Sequence, residues 1–244
     1  MELISLKYAI FVIVLLVLYY CFPKKYRWYV LLAGSMAYYV IICKWYVLFI
    51  IFTICTTYGS TIWIDKLLKK QNAIVKSHKE DWDRQTRKEY KEKGRKKRVA
   101  VMLFALLCNF GILAFLKYIP YAGELGLLLP LGISFYTFQS MGYVMDVYRE
   151  IVEPEKNFFK VALFVSFFPQ IIQGPIAIYD KLAGQLYEGH SLRLENLQKG
   201  ALLVLWGVMK KLVIADRAVN IINFVMDKPM DFSGTYVFFA AVVY

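Results

Sequence analysis

Few side chains in this 244-residue sequence could do chemistry as acid, base, nucleophile or metal ligand. There are only two histidines. His78 stands between Ser77 and Lys79 in a densely charged stretch and reads as a solvated loop residue. His190 lies in Glu188-Gly-His-Ser191, within a polar connection, with no carboxylate at helical spacing to orient it as a base. The four cysteines, Cys21, Cys43, Cys55 and Cys108, sit in or at the ends of apolar stretches without a CxxC or other metal spacing, and read as small buried hydrophobes. What remains is polar groups inside apolar segments, each of which is a functional hypothesis by its cost in lipid. Asp146 and Arg149 are three apart, adjacent on a helix, and can pair with each other, which makes a structural and a ligand-binding role equally open. Gln139 and Gln173 can each donate to a carbonyl, and donate to or accept from a hydroxyl. Gln173-Gly174-Pro175 adds a close backbone approach beside a donor. No metal site is expected.

The elements that must position these groups are apolar spans. The chain is 59% hydrophobic and 17% aromatic, above the roughly 45–50% apolar content of soluble domains. Residues 5–22 form a first span, followed by Pro23, Lys24, Lys25 and Arg27. A cleaved signal peptide carries its positive charge before the apolar run and small residues after it, so this span is expected to stay. A second span covers 28–43 and a third 45–64, with Lys44 alone between them, which requires a tight turn. Trp28, Trp45 and Trp63 lie at span ends, where aromatic anchors belong. The loop 65–98 holds 14 of the 30 Lys+Arg and 6 of the 18 Asp+Glu, so most of the net charge of +12 resides there. Nucleic-acid binding is one reading of such a loop, and a topology signal beside a membrane is the simpler one. Its mixed charges, Glu89 with Lys93 among them, fit a surface helix. A fourth span covers 99–116. Placing the first and third loops in the cytoplasm satisfies the positive-inside rule, with the N-terminus extracytoplasmic and Lys117 an outer interfacial anchor.

Further along, 127–147 continues into Tyr148-Arg149, and 157–178 is apolar but interrupted by Pro169, Gln170, Gln173, Gly174 and Pro175. Non-helical backbone at membrane depth requires protein or a water-filled cavity around it, so a lined cavity and a merely bent helix compete here. A polar connection, 180–195, precedes an apolar stretch, 197–215, whose Lys210-Lys211 is expected to snorkel. The last segment, 235–244, rises only about 15 Å, half a hydrocarbon core. Either it packs on other helices or the natural protein continues past Tyr244. The expected fold is all-α, a polytopic transmembrane helix bundle, truncated, with 1–244 as part of one domain.

Ordered motifs carry a resemblance. Asn109-Phe-Gly-Ile-Leu-Ala-Phe-Leu-Lys117-Tyr118 is followed by Leu129-Pro-Leu-Gly-Ile-Ser-Phe-Tyr-Thr-Phe-Gln139, then Tyr143-x-x-Asp146-Val-Tyr148-Arg149, Ser166-Phe-Phe-Pro-Gln170 and Gly174-Pro175. Together they resemble the N-terminal half of a membrane-bound O-acyltransferase (MBOAT), in the branch of alginate O-acetyltransferases and teichoic-acid D-alanyl transfer proteins. The resemblance implies a helix bundle around a tunnel. It implies an acyl group taken from a cytoplasmic thioester (acetyl-CoA or an acyl carrier protein) as substrate, with no bound cofactor. The acceptor would be an extracytoplasmic cell-envelope polysaccharide. Membrane lipid and an extracytoplasmic acyltransferase partner protein are the implied partners, and nucleic acid is not. Gln139, Asp146, Arg149 and Gln173 become candidates for the tunnel wall. The family's base is a histidine in a Trp-Arg-x-Trp-His-like motif that these residues do not contain, so no catalytic residue is assigned in this chain and it is expected to be inactive alone. Asp231-Phe-Ser-Gly234 copies four letters of another family segment and reads as a helix-entry loop. A membrane transporter and a non-catalytic membrane scaffold are the alternatives. Against a transporter, no internal repeat relates 5–116 to 127–244.

Overall fold

A computed structural model describes residues 6–78, 82–118, 130–227 and 229–243, with the side chains of 172, 173, 221, 229 and 243 outside the description. It divides into two compact units, Met1–His190 and Ser191–Tyr244. Every regular element among the described residues is helical, as expected for an all-α membrane bundle.

In the first unit, α1 (Leu6–Cys21) and α2 (Arg27–Cys43) pack antiparallel, Gly34 lying so close to Leu15 that a Cβ there would meet its side chain at 2.4 Å. A 3-10 turn, Lys44–Tyr46, leads into α3 (Val47–Ser77). Lys44 takes a positive φ of 48°, which is how a single-residue gap between spans is bridged. After α3 come α4 (Arg84–Tyr118), α5 (Ile133–Tyr148), α6 (Phe158–Ser166), α7 (Phe168–Gln173) and α8 (Tyr179–Tyr187). Residues 119–129, with Leu129 of the second motif among them, lie outside the description.

α3 and α4, of 31 and 35 residues, are each longer than the roughly 20 residues that a bilayer core needs. Their apolar parts carry lipid-type surfaces, with Leu103, Phe104 and Leu107 exposed. The excess length is the charged stretch, and here the expected loop 65–98 is corrected. Residues 65–77 continue α3 and 84–98 begin α4, so among the described residues of this stretch only His78, Trp82 and Asp83 lie outside a helix. Lys, Arg, Glu and Gln are good helix formers, so charge removes a segment from the bilayer without ending its helix. The supporting pair is Lys69 with Asp65 at 2.5 Å, not Glu89 with Lys93.

α3 sits centrally among α4, α5 and α6, burying Ile50, Ile54 and Ile64 together with Thr53, Thr57, Ser60 and Thr61. Small hydroxylated residues let backbones approach, and two of these O–H groups are taken up locally: Ser60 Oγ donates to Thr57 O at 3.0 Å and Thr61 Oγ1 to the same carbonyl at 2.9 Å. Asn109 Nδ2 donates to Thr56 Oγ1 at 2.9 Å, linking α4 to α3. Of the expected aromatic anchors, Trp45 and Trp63 are exposed, but Trp28 is buried with Leu163 and Leu186 and stacks on Tyr29. The expected polar connection 180–195 is also corrected. Its first half is α8, whose Tyr179, Ala183 and Leu186 are buried on one face.

In the second unit, α9 (Leu194–Met209) runs through a π-helical turn, Lys210–Ala215, into α10 (Asp216–Met226). The expected stretch 197–215 is therefore the middle of a longer helical run. Lys210 lies over the Trp206 ring at 5.3 Å, and Lys211 pairs with Asp216 at 3.7 Å. A 3-10 turn, Pro229–Asp231, precedes α11 (Gly234–Val243), so Asp231 to Gly234 does lead into a helix.

Candidate functional site

The broken segment after α5 is where one polar candidate, Gln139, meets irregular backbone. Asn157 caps α6 by accepting from Phe159 N at 2.9 Å, and Val161 to Ser166 are all buried. The helix stops at Phe167, whose ψ of 105° is extended. Pro169 is the cause, since it lacks an N–H for the preceding turn and its ring collides with that turn. Phe168 N, which would have bonded Phe164 O in a continuous helix, donates instead to Ser35 Oγ on α2 at 3.4 Å. Phe164 O is taken up by Gln139, whose Nε2 donates to it at 2.8 Å from α5. Gln139 is 4% exposed, so the amide is committed to holding a helix break in place.

The segment turns back on itself. The end of α7 lies against the start of α5, where Gly132 has φ 70° and a Cβ would stand 2.3 Å from Ile171 O. From Gly174 the chain runs non-helically to α8. There Tyr179 stacks on Tyr143 at 4.1 Å, and Tyr143 Oη accepts from Glu155 N at 2.8 Å. Five extended residues cover about 16 Å, and the eleven helical steps from Gly132 to Tyr143 cover about the same. Entry and exit are therefore at the same end of α5. Beside them Tyr187 donates to Lys160 O at 2.8 Å, and burial pushes its phenol well above the ordinary value.

A cavity of about 430 Å³ opens beside the break, walled by Leu15 and Leu16 of α1, Leu31 of α2, Phe167, Pro169 and Leu186. Tyr19, Gln185 and His190 form its polar part. The His190 ring donates through Nε2 to Gln185 O at 2.9 Å, and its backbone N–H donates to Tyr19 Oη at 3.3 Å. Arg27 donates to the carbonyls of His190 and Phe22 and lies over the rings of Tyr19 and Tyr20. The sequence places His190 in a connection, and the structure places it on a cavity wall. Arg27 is a structural clamp on that wall that no spacing in the sequence reveals, because its partner is 163 residues away. An apolar slot with a polar end suits a short acyl chain or a lipid tail, and no nucleophile–base pair is present in it.

The remaining candidates are separated from Gln139. Asp146 lies seven residues further along α5, about 10 Å along the axis. It is half-buried, Arg149 is exposed, and the expected pair between them is not formed. Arg149 still closes the helix, its N–H on Met145 O at 2.9 Å, and the chain leaves the helix at Glu150, whose φ is 63°. The ion pair at this end is Arg98 of α4 with Glu150, at 2.7 Å. The Gln173 side chain lies outside the described residues. Among the described residues no three His, Cys, Asp or Glu side chains gather as metal ligands.

Several known proteins are similar to this chain. Over 170 residues it is 30% identical to a peptidoglycan O-acetyltransferase of Helicobacter pylori, which covers 54% of this chain and 32% of that protein. Over 89 residues it is 40% identical to a probable alginate O-acetylase AlgI of Pseudomonas syringae pv. tomato, covering 36% of this chain and 17% of that protein. The corresponding protein of Pseudomonas putida is 34% identical over 114 residues, 47% of this chain and 22% of its own length. The matched region thus spans less than a third of these relatives. No family model matches the chain, and no solved structure does.

Proposed function

From a chain that is related to the membrane-bound O-acyltransferases through these acetylating relatives, we propose that the protein takes part in O-acetylation of a cell-envelope polysaccharide. The observation that carries this is the 30% identity over 170 residues, a length that spans several helices rather than one motif. In the reaction the acyl carbon–sulfur bond of a cytoplasmic thioester breaks and a carbon–oxygen bond to a sugar hydroxyl forms. The hydroxyl proton passes to a base and then to the departing thiolate. The base assigned by resemblance is not among these 244 residues, so their part is to shape the path. The broken α6–α7 segment, held by Gln139 and Ser35 with a cavity beside it, supports such a part.

The proposed orientation puts the N-terminus outside and the charged ends of α3 and α4 in the cytoplasm. Supporting it, the basic positions Arg27 and Arg98 both tie down to segments at one end of the unit, the first to 190 and the second to 150. An extracytoplasmic partner protein belongs to the same proposal.

The test uses membranes from cells expressing the full gene, supplied with acetyl-labelled thioester on the cytoplasmic side and with the glycan acceptor. Label is expected in alkali-labile esters on the glycan. Label-free glycan together with uptake of intact substrate into sealed vesicles would establish a transporter instead.

A further inference from the structure

The charged hairpin formed by the ends of α3 and α4 encloses a cavity of about 590 Å³ that the acyl-transfer reading does not use. Arg84, Arg87, Lys88, Lys91, Arg95 and Arg98 line it, against only two carboxylates, Glu92 and Glu150. Its walls are held in register. Gln71 of α3, 6% exposed, donates through Nε2 to Lys91 O at 3.0 Å. Gly94 makes that approach possible, since a Cβ there would stand 2.4 Å from Gln71 Oε1. At the inner end is Arg98, 8% exposed, which gives Nη1 to Glu150 while its buried Nε–H has no hydrogen-bond partner. A buried guanidinium donor left open costs free energy unless an acceptor completes it, and a phosphate oxygen suits its planar fork.

We infer that this cavity is a binding site for a small soluble ligand carrying two or more phosphate groups. Arg84, Lys91 and Arg98 recur every seven residues and so share one face of α4. The face that meets lipid is a different one. Lys97, Ala100 and Phe104 of α4 join Trp63 and Leu67 of α3 in a separate apolar groove of about 440 Å³. The cationic cavity is instead closed by Glu150 after α5, beneath the bundle, where a ligand arrives from water. Its size lies within the roughly 300–1,000 Å³ range of small-molecule sites. Only the identity of the phosphates' bearer rests on the acyl-transfer reading, in which it is the nucleotide portion of the thioester donor.

Calorimetry on the purified full-length protein in neutral detergent tests this, with 3′,5′-ADP, pyrophosphate and adenosine as probes. Both phosphate probes are expected to bind, adenosine is not, and the affinity weakens several-fold as salt is raised because ion pairing is screened. Arg98→Gln is expected to lower 3′,5′-ADP affinity by about tenfold, the loss of a charge-assisted contact. Lys91→Gln with Arg95→Gln, exposed positions that leave the hairpin folded, is expected to do the same. No binding at about 1 mM probe, or unchanged affinity in the double variant, overturns the site. Binding of phosphatidylglycerol in nanodiscs without any response to 3′,5′-ADP overturns it in favour of a lipid headgroup. Acyl transfer without binding sinks this inference alone, and binding without transfer sinks only the acyl-transfer reading.

Discussion

Replacing Gln139 with Leu isolates the contribution of one hydrogen bond to the seating of the broken segment. Volume is nearly conserved, so the change removes the donor to Phe164 O without opening a large cavity. That carbonyl then has nowhere to turn. Phe168 N is committed to Ser35 Oγ, and the following residue is Pro169, which has no N–H. A buried carbonyl stripped of its partner costs about 1–3 kcal/mol, while interhelical bonds inside membranes average about 0.6 and reach about 1.7 kcal/mol. Between these, a loss of about 1–2 kcal/mol is expected. At about 2–4 °C per kcal/mol for a chain of this size, the melting temperature in detergent should fall by about 2–8 °C. With Cys21 and Cys55, which are exposed rather than buried as expected, replaced by serine, a thiol-reactive dye assay can follow it through the buried Cys43 thiol. Met145→Leu on the exposed side of α5 serves as the reference and should move it by less than about 0.5 kcal/mol. A Gln139→Leu protein melting with its parent would show that the break stands without this brace, and the reasoning would fail.

Gly132→Ala should be more severe, at about 2 kcal/mol or more, because it forces a side chain into a left-handed backbone and against Ile171 O. Poor accumulation in membranes and rapid proteolysis after 130 are the readouts, and normal expression would contradict the close approach. At high pH the raised Tyr187 pKa gives a signed expectation. The folded state keeps the phenol neutral, so its contribution is present below about pH 10 and is lost as the unfolded chain ionises above that. Tyr187→Phe should therefore flatten the alkaline loss of stability measured between pH 9 and 11, and an unchanged slope would assign that loss elsewhere.

Local features were the legible ones. The tight join at Lys44 and the break around Pro169 follow from steric rules that act within a few residues, and both are present. The charged stretch misled because hydropathy reports where lipid ends, whereas helix propensity decides where a helix ends, and α3 runs from Val47 to Ser77 across that boundary. Asp146 and Arg149 had the spacing of a pair, but the ion pair at this end joins Glu150 to Arg98, 52 residues earlier, a contact that no local spacing carries. Gln139 was recognisable as a polar group in an apolar helix. Its acceptor, a carbonyl freed by a helix break 25 residues away, belongs to tertiary packing.

The hairpin-like course of 157–178 changes the parity of the chain. A count of apolar stretches scores that segment as one crossing and flips the side of everything after it. Because Glu155 and Tyr179 both meet Tyr143, the segment returns to the end of α5 from which it set out. Reporter enzymes inserted near Glu153 and near Glu188 should consequently report the same compartment.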